Sequence, residues 1–419
     1  MRKKTAFLIG MMTFLIFGTI VGVTLKFYCL TWQPEAVDRV WDVVDEWNAN
    51  HPDAEVEIVW GTWESSDQYL LTSFEGGEGP DIFHTDAEKF REYGIMGFAE
   101  PLDRFITEDM LTDIPDKIWK DCRDYEGNTF GVPWCQEAQV IFFNEKLFRE
   151  CGIELPADRV VTWEELLEIA QKLTKEVNGE KTWGLLAPLM ERFEWTLIAQ
   201  NGGTVLRADK NGRWKVEIDD KAKEAIDFYL SLITEHKVMP PDVISIDYTS
   251  LMQGFLNGKY AMVTFGCWNR RFLNQSGSDF EWGMMWLERG KCRINASDPQ
   301  ALGISVFSKN KEKAFEFIKF FTNTTNSAEI SYADWLFPVR KSALRDPRFS
   351  SVENEWNYAH NWLQDAKNVK PEMPGFYTFE WKIFVPALEK VIMGKLTPAQ
   401  AYEEIEVSGN ALLKQLGLR

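Results

Sequence analysis

The apolar residues near the start of the chain change period repeatedly, and few folds tolerate that. Val23 to Thr31 reads as a β-strand. Pro34 then opens a helix in which Val37, Val40, Trp41, Val44 and Trp47 recur at helical spacing, which assigns Trp41 and Trp47 to the core. Val56, Ile58 and Trp60 alternate with Glu55, Glu57 and Val59, a strand of period two. A glycine-rich loop, Gly76-Gly77-Glu78-Gly79-Pro80-Asp81, leads into the short strand Ile82-Phe83. A β-α-β-α-β order of this kind argues for an α/β sheet with helices on its faces.

A chain of 419 residues is too long for one compact core, so at least two domains are expected. Later helices are well marked. Thr162 and Glu165 make a capping box, Ala222, Ala225, Ile226, Tyr229, Leu230 and Ile233 form an amphipathic stripe, and Gly394 stops a helix. Thr397, Pro398 and Gln400 start the last one. No internal repeat or long Gly/Ser linker separates the domains, which suggests that the chain crosses between them more than once.

Arg2, Lys3 and Lys4 precede an apolar run from Ala6 to Val23. This is an export signal cleaved near Gly18 to Gly22, or else an uncleaved anchor; either way the bulk of the chain lies outside the cytoplasm. Lys26-Phe27-Tyr28 before Cys29 does not make a lipoprotein box. Six cysteines without a C-x-x-C pair leave disulfides and buried free thiols both open. The formal charge of −18 repels phosphate backbones and disfavours nucleic acid as a partner, and it disfavours anionic lipid apart from the first few residues.

Several motifs then occur in order. Gly79-Pro80-Asp81-Ile82 is followed by Tyr125-Glu126-Gly127-Asn128-Thr129-Phe130-Gly131-Val132-Pro133 and by Phe143-Asn144-Glu145-Lys146-Leu147-Phe148. Phe255 to Met262, Ser308-Lys309-Asn310-Lys311, Phe337-Pro338-Val339-Arg340-Lys341-Ser342 and Gly394-Lys395-Leu396-Thr397-Pro398 complete the series. Each is weak alone, but the ordered set resembles the family 1 extracellular solute-binding proteins of ABC importers, the group containing maltose-binding protein. The resemblance implies a two-lobed α/β periplasmic-binding-protein fold (type II) with a ligand cleft between lobes joined by crossing segments. It implies a signal or anchor at 1–22, a first lobe from 23–136 and 300–340, and a second from 137–299 and 341–419. It also implies a monomer that needs no cofactor, captures a sugar or oligosaccharide by closing, and presents it to ABC permease subunits.

Sugars present apolar C–H faces and rings of hydroxyls, so their sites need flat aromatic platforms with carboxylates and amides. Trp32 and Trp63 follow strand ends that face the cleft in the resembled family. Asp86 resembles that family's cleft carboxylate, with a helix N-cap as the alternative. Trp134 and Glu137 begin the crossing segment, and Glu137 is the preferred second carboxylate, with an inter-lobe salt bridge as the alternative. Trp195 and Trp381 resemble cleft aromatics of the second lobe, although packing below the ligand suits Trp195 equally. Trp268, after the Ala261-Met262 strand, is the strongest aromatic candidate. Asp81 is read as structural.

Four scattered histidines and no Cys/His cluster leave no transition-metal motif, and no G-x-S-x-G elbow or Walker loop is present. A secreted carbohydrate-active hydrolase or lyase stays open, because two suitably spaced carboxylates would suffice. So does a membrane-tethered sensor or adhesin that keeps residues 6–23.

Overall fold

A computed structural model describes residues 22–419 apart from 178, 211 and 278–279. The segment read as a signal or anchor therefore lies, but for Gly22, outside the described residues. Two sheets organise the rest. Ten strands suffice to describe them: β1 (Val23–Cys29), β2 (Ala54–Trp60), β3 (Ile82–Asp86), β4 (Val132–Gln136), β5 (Gln139–Asn144), β6 (Val160–Thr162), β7 (Met262–Gly266), β8 (Trp282–Glu288), β9 (Gln300–Ile304) and β10 (Phe337–Pro338). The larger sheet has the order β10-β4-β9-β3-β1-β2 and the smaller β7-β5-β8-β6. β1 runs parallel to β2 and β3, while β9 lies antiparallel between β3 and β4.

The larger sheet is covered on both faces. Leu25, Phe27 and Cys29 face Val40, Val44, Trp47 and Phe317. Tyr28 and Leu30, on the other face, meet Leu70, Phe74 and Phe90. β3 is buried at four of its five positions, whereas β2, at the sheet edge, exposes Glu55, Glu57 and Trp60. The smaller sheet carries its own core, joined by the C-terminal helices through Phe379, Phe384, Leu388 and Leu413. The chain passes between the sheets at Glu137-Ala138, again between β8 and β9, and again after β10. Each helix signal read above is realised. Both capping boxes form, and Pro34 and Pro398 occupy first-turn positions.

Two local readings are corrected. Trp41 is 43% exposed, not core; the buried face of its helix runs Ala36, Val40, Val43, Val44, Trp47. One residue turns a helix by about 100°, which carries Trp41 off that face and onto Trp60, with ring centroids 5.9 Å apart. The first strand stops at Cys29 rather than Thr31, because its ladder with β2 ends at the pair Cys29–Trp60. The six cysteines are free thiols, and four of them are buried.

Candidate functional site

A cavity of about 840 Å³ opens between the two sheets, a size that holds an oligosaccharide-sized ligand. Trp32, just past β1, and Trp63, the first residue of the helix Trp63–Glu75, line it from one side. Tyr248, Trp268 and Phe272 line it from the other. Trp268 follows β7, whose antiparallel pairing with β5 ends at Gly266–Gln139. The rings meet across the opening. Trp32 stands edge-on to Trp268 at 5.5 Å and stacks on Phe272 at 5.9 Å, and Tyr248 stacks on Trp268 at 5.7 Å.

The floor is polar. Asp86 ends β3, and the pairing of Gln300 with both Asp86 and Cys135 brings it beside the crossing segment that carries Glu137. Asp86 occupies an N-cap position but makes no capping bond, so the helix after it does not account for its carboxylate. Burial first, and Glu88 second, push the Asp86 pKa up to about 7. Burial likewise drives Glu137 well above the carboxylate range, with Asp298 and Glu191 adding to it. Its Oε2 is buried without a hydrogen-bond partner. A Cβ at Gly266 would lie 2.2 Å from that oxygen and 2.3 Å from Trp268 Nε1, so a side chain at 266 would collide with both.

Two cations brace this floor. Arg192, held at φ 55°, opens the helix Phe193–Gln200 and bonds Asp298. Lys370 reaches the same Asp298 at 3.2 Å and also bonds Glu88. Burial opposes charge at Asp298, but Arg192 and Lys370 outweigh it and hold that carboxyl below its usual range. His84 lies under the floor. The Leu30 N–H donates to its Nδ1 at 3.2 Å, so Nε2 carries the proton and donates to Gln300 Oε1 at 2.9 Å. Burial lowers its pKa to about 4, leaving a neutral wedge between Trp63 and Trp134.

The structure thus brings together Trp32, Trp63, Asp86, Glu137 and Trp268. It does not bring Trp134, Trp195 or Trp381 to the cavity wall. Trp134 is 1% exposed and packs edge-on to His84 and Phe321, one layer below the floor. Trp195, also 1% exposed, stacks on Phe384 at 4.7 Å inside the second core. Trp381 is half-buried beside Tyr377, away from the opening. The reason is common to all three: alternation along a strand or rotation along a helix decides which way an indole faces. Asp81 is structural, taking the Lys26 N–H and the Ser308 hydroxyl.

Sequence reasoning missed Tyr248, Phe272, Arg192, Asp298 and Asp334. Asp298 precedes Pro299 in a crossing segment, a signal that was readable. Asp334 lies 301 residues from Gln33, whose amide Nε2 donates to its carbonyl at 2.7 Å, and no local pattern could join them.

Residues 33–328 match the family model of the bacterial extracellular solute-binding proteins. The chain belongs to that family. An uncharacterised lipoprotein of Streptomyces antibioticus is 27% identical over 95% of this chain and 90% of its own length. A maltotriose-binding protein of Pyrococcus abyssi is 26% identical over 76% of this chain and 67% of its own. Among solved structures, an ABC substrate-binding protein of Listeria monocytogenes in complex with cycloalternan superposes with a TM-score of 0.79 at 22% identity, covering 95% of this chain and 100% of that one. The GacH receptor of Streptomyces glaucescens does so with a TM-score of 0.77 at 19% identity, covering 94% and 99%. These likenesses show the two-lobed fold. Among the described residues, no helix is long and apolar enough to cross a membrane.

Proposed function

We propose that this solute-binding protein captures a sugar or oligosaccharide outside the cytoplasm and presents it, by closure of its lobes, to the permease of an ABC importer. One observation carries the reading. Aromatic faces from both lobes converge on a cavity whose floor is carboxylate and amide, the combination a hydroxylated ring requires. Trp32, Trp63 and Trp268 would stack on C–H faces, Asp86 and Glu137 would bond hydroxyls, and the Gln300 amide nitrogen, its oxygen being held by His84, would donate to them. The maltotriose-binding relative supports a saccharide as the solute.

Closure follows from where these groups sit. A ligand lying on Trp32 and Asp86 reaches Trp268 and Tyr248 only when the lobes are shut, so binding shifts the hinge equilibrium toward the closed form. Micromolar affinity corresponds to about −8 kcal/mol, which two or three stacked rings and several hydrogen bonds supply. Action by binding alone, without bond cleavage, is part of the proposal.

A thermal-shift screen of the purified chain against a carbohydrate panel tests it, since a binder raises the melting temperature by mass action. A rise with at least one oligosaccharide, recovered intact after incubation, is expected. No response to any saccharide would overturn the reading, and appearance of shortened products would turn it toward an enzyme.

A further inference from the structure

The ionisable groups that line the cleft are mostly acidic. The cavity is lined by five carboxylates, Glu64, Asp86, Glu137, Asp298 and Asp334, against one cation, Arg192. That cation is already engaged with Asp298. Lys370 is shared between Asp298 and Glu88, and Arg271, which acts on Asp334, is paired with Glu35. Among the described residues, Asp86, Glu137 and Asp334 are left with no cation in contact.

The imbalance extends to hydrogen bonds. Glu137 Oε2, Asp334 Oδ1 and Gln33 Oε1 are buried acceptors without donors, and all three residues line the cavity. Glu137 is 9% exposed and Asp334 4%. Against these oxygens the lining offers one buried donor without an acceptor, Arg192 Nε. In the empty protein burial holds the Glu137 and Asp334 carboxyls well above their usual range, so they keep their protons, and a donor-rich ligand of positive charge is what would let them ionise and accept. A hydroxyl donates once and asks for an acceptor's share in return, whereas an ammonium donates three times and accepts nothing. An ammonium also brings the positive charge that lets buried carboxylates ionise.

Two further observations narrow the cation. Among the described residues, no group of three or more His, Cys, Asp and Glu side chains is placed to hold a metal ion. The other half of the wall is aromatic, and indole and phenol faces attract organic cations as well as sugar C–H bonds. Glu137 and the Nε1 edge of the Trp268 indole both abut Gly266, so the carboxyl lies beside that ring.

We propose that the ligand of this cleft is a glycoside carrying an ammonium group, an amino sugar or its oligomer, with the amine seated against Glu137 beside Trp268 and Tyr248. This rests on the sugar reading and adds the sign of the ligand's charge to it. Glu137 is then the residue that separates cationic from neutral saccharides, and Asp334 and Asp86 supply the remaining acceptors.

Calorimetric titration with matched pairs tests it: glucosamine and galactosamine oligomers, each against its N-acetylated counterpart, with maltotriose as a neutral reference. The expected result is that at least one amino oligomer binds ten-fold or more tightly than its acetylated partner. Glu137→Gln should erase most of that preference while the free protein still unfolds in one cooperative transition, at a melting temperature no lower than before. Should that variant fail to fold, Asp334→Asn carries the same expectation. Neutral members binding as tightly as their amino partners overturns the inference and leaves the sugar reading standing. Binding by no saccharide in the panel overturns both.

Discussion

Asp86 shows how a single position can be set for a ligand at the expense of the empty protein. Its pKa is raised to about 7, first by burial and then by Glu88, with Lys370 and Arg192 pulling the other way and Asp298 pushing with Glu88. A carboxyl whose folded pKa lies above its unfolded value binds more protons folded than unfolded between the two. It therefore costs nothing at pH below about 4, and its penalty grows as pH rises toward 7. Asp86→Asn should accordingly raise the melting temperature of the free protein at pH 8, by about 2 °C or more, while the difference vanishes near pH 4. A gain that is the same at both pH values would assign the effect to something other than ionisation. At Trp268 the expectation runs the other way. Its indole is a half-buried lining residue, so Trp268→Ala should weaken saccharide binding by about 1–3 kcal/mol with little change in melting temperature. Unchanged affinity in titration would remove that ring from the site.

At the scale of elements, local sequence specifies some helices and not others. Thr397 accepts from the Gln400 N–H at 3.3 Å while the Gln400 side chain accepts from the Thr397 N–H at 2.9 Å, so the last helix, Pro398–Gln415, begins where its own sequence says. Thr397→Ala should cost about 1 kcal/mol in denaturant unfolding, and a neutral result would show that packing alone fixes this helix start. The short helix Phe193–Gln200 lies at the other extreme. Seven of its eight residues are buried, including Glu194, whose two carboxylate oxygens have no hydrogen-bond partner. Burial drives that carboxyl well above its usual range, with Glu380 adding to it. No apolar stripe marks such a segment, and its position against the Arg192–Asp298 pair is set by the second core around it.

On the scale of the molecule, the lobes are tied beside the aromatic rings, where Arg271 donates to both Glu35 carboxylate oxygens at 2.9 and 3.1 Å, and also on the other side of the cleft. Lys370 bonds Glu88 on the helix that follows β3, and Lys89 lies 4.5 Å above the Tyr377 ring. Lys117 donates to three carbonyl oxygens, those of Leu363, Gln364 and Ala366, at 2.9–3.1 Å. Removing one member of a buried ion pair leaves the other charge unpaired, which costs about 3–5 kcal/mol and favours re-exposure to water. Lys370→Met should therefore open the free protein, seen as a larger radius of gyration in small-angle X-ray scattering, and weaken ligand binding. An unchanged radius would mean that this contact does not hold the lobes together.

The alternation of strand and helix periods, the capping boxes and the ordered motifs were legible in the chain itself, because each depends on residues a few positions apart. Trp32, Trp63, Asp86, Glu137 and Trp268 came from the resemblance together with their places at strand ends and a crossing, and the fold brings all five to one cavity. The facing of Trp134, Trp195 and Trp381 was not legible, and neither was the arrival of Asp334 and Asp298 on the same floor. Those depend on which side of a sheet or helix meets which neighbour across hundreds of residues, and only the packed lobes decide that. The same holds for charge. The sequence shows 64 acidic residues scattered along its length, and only folding selects the few that face one another around a cavity with too few cations to answer them.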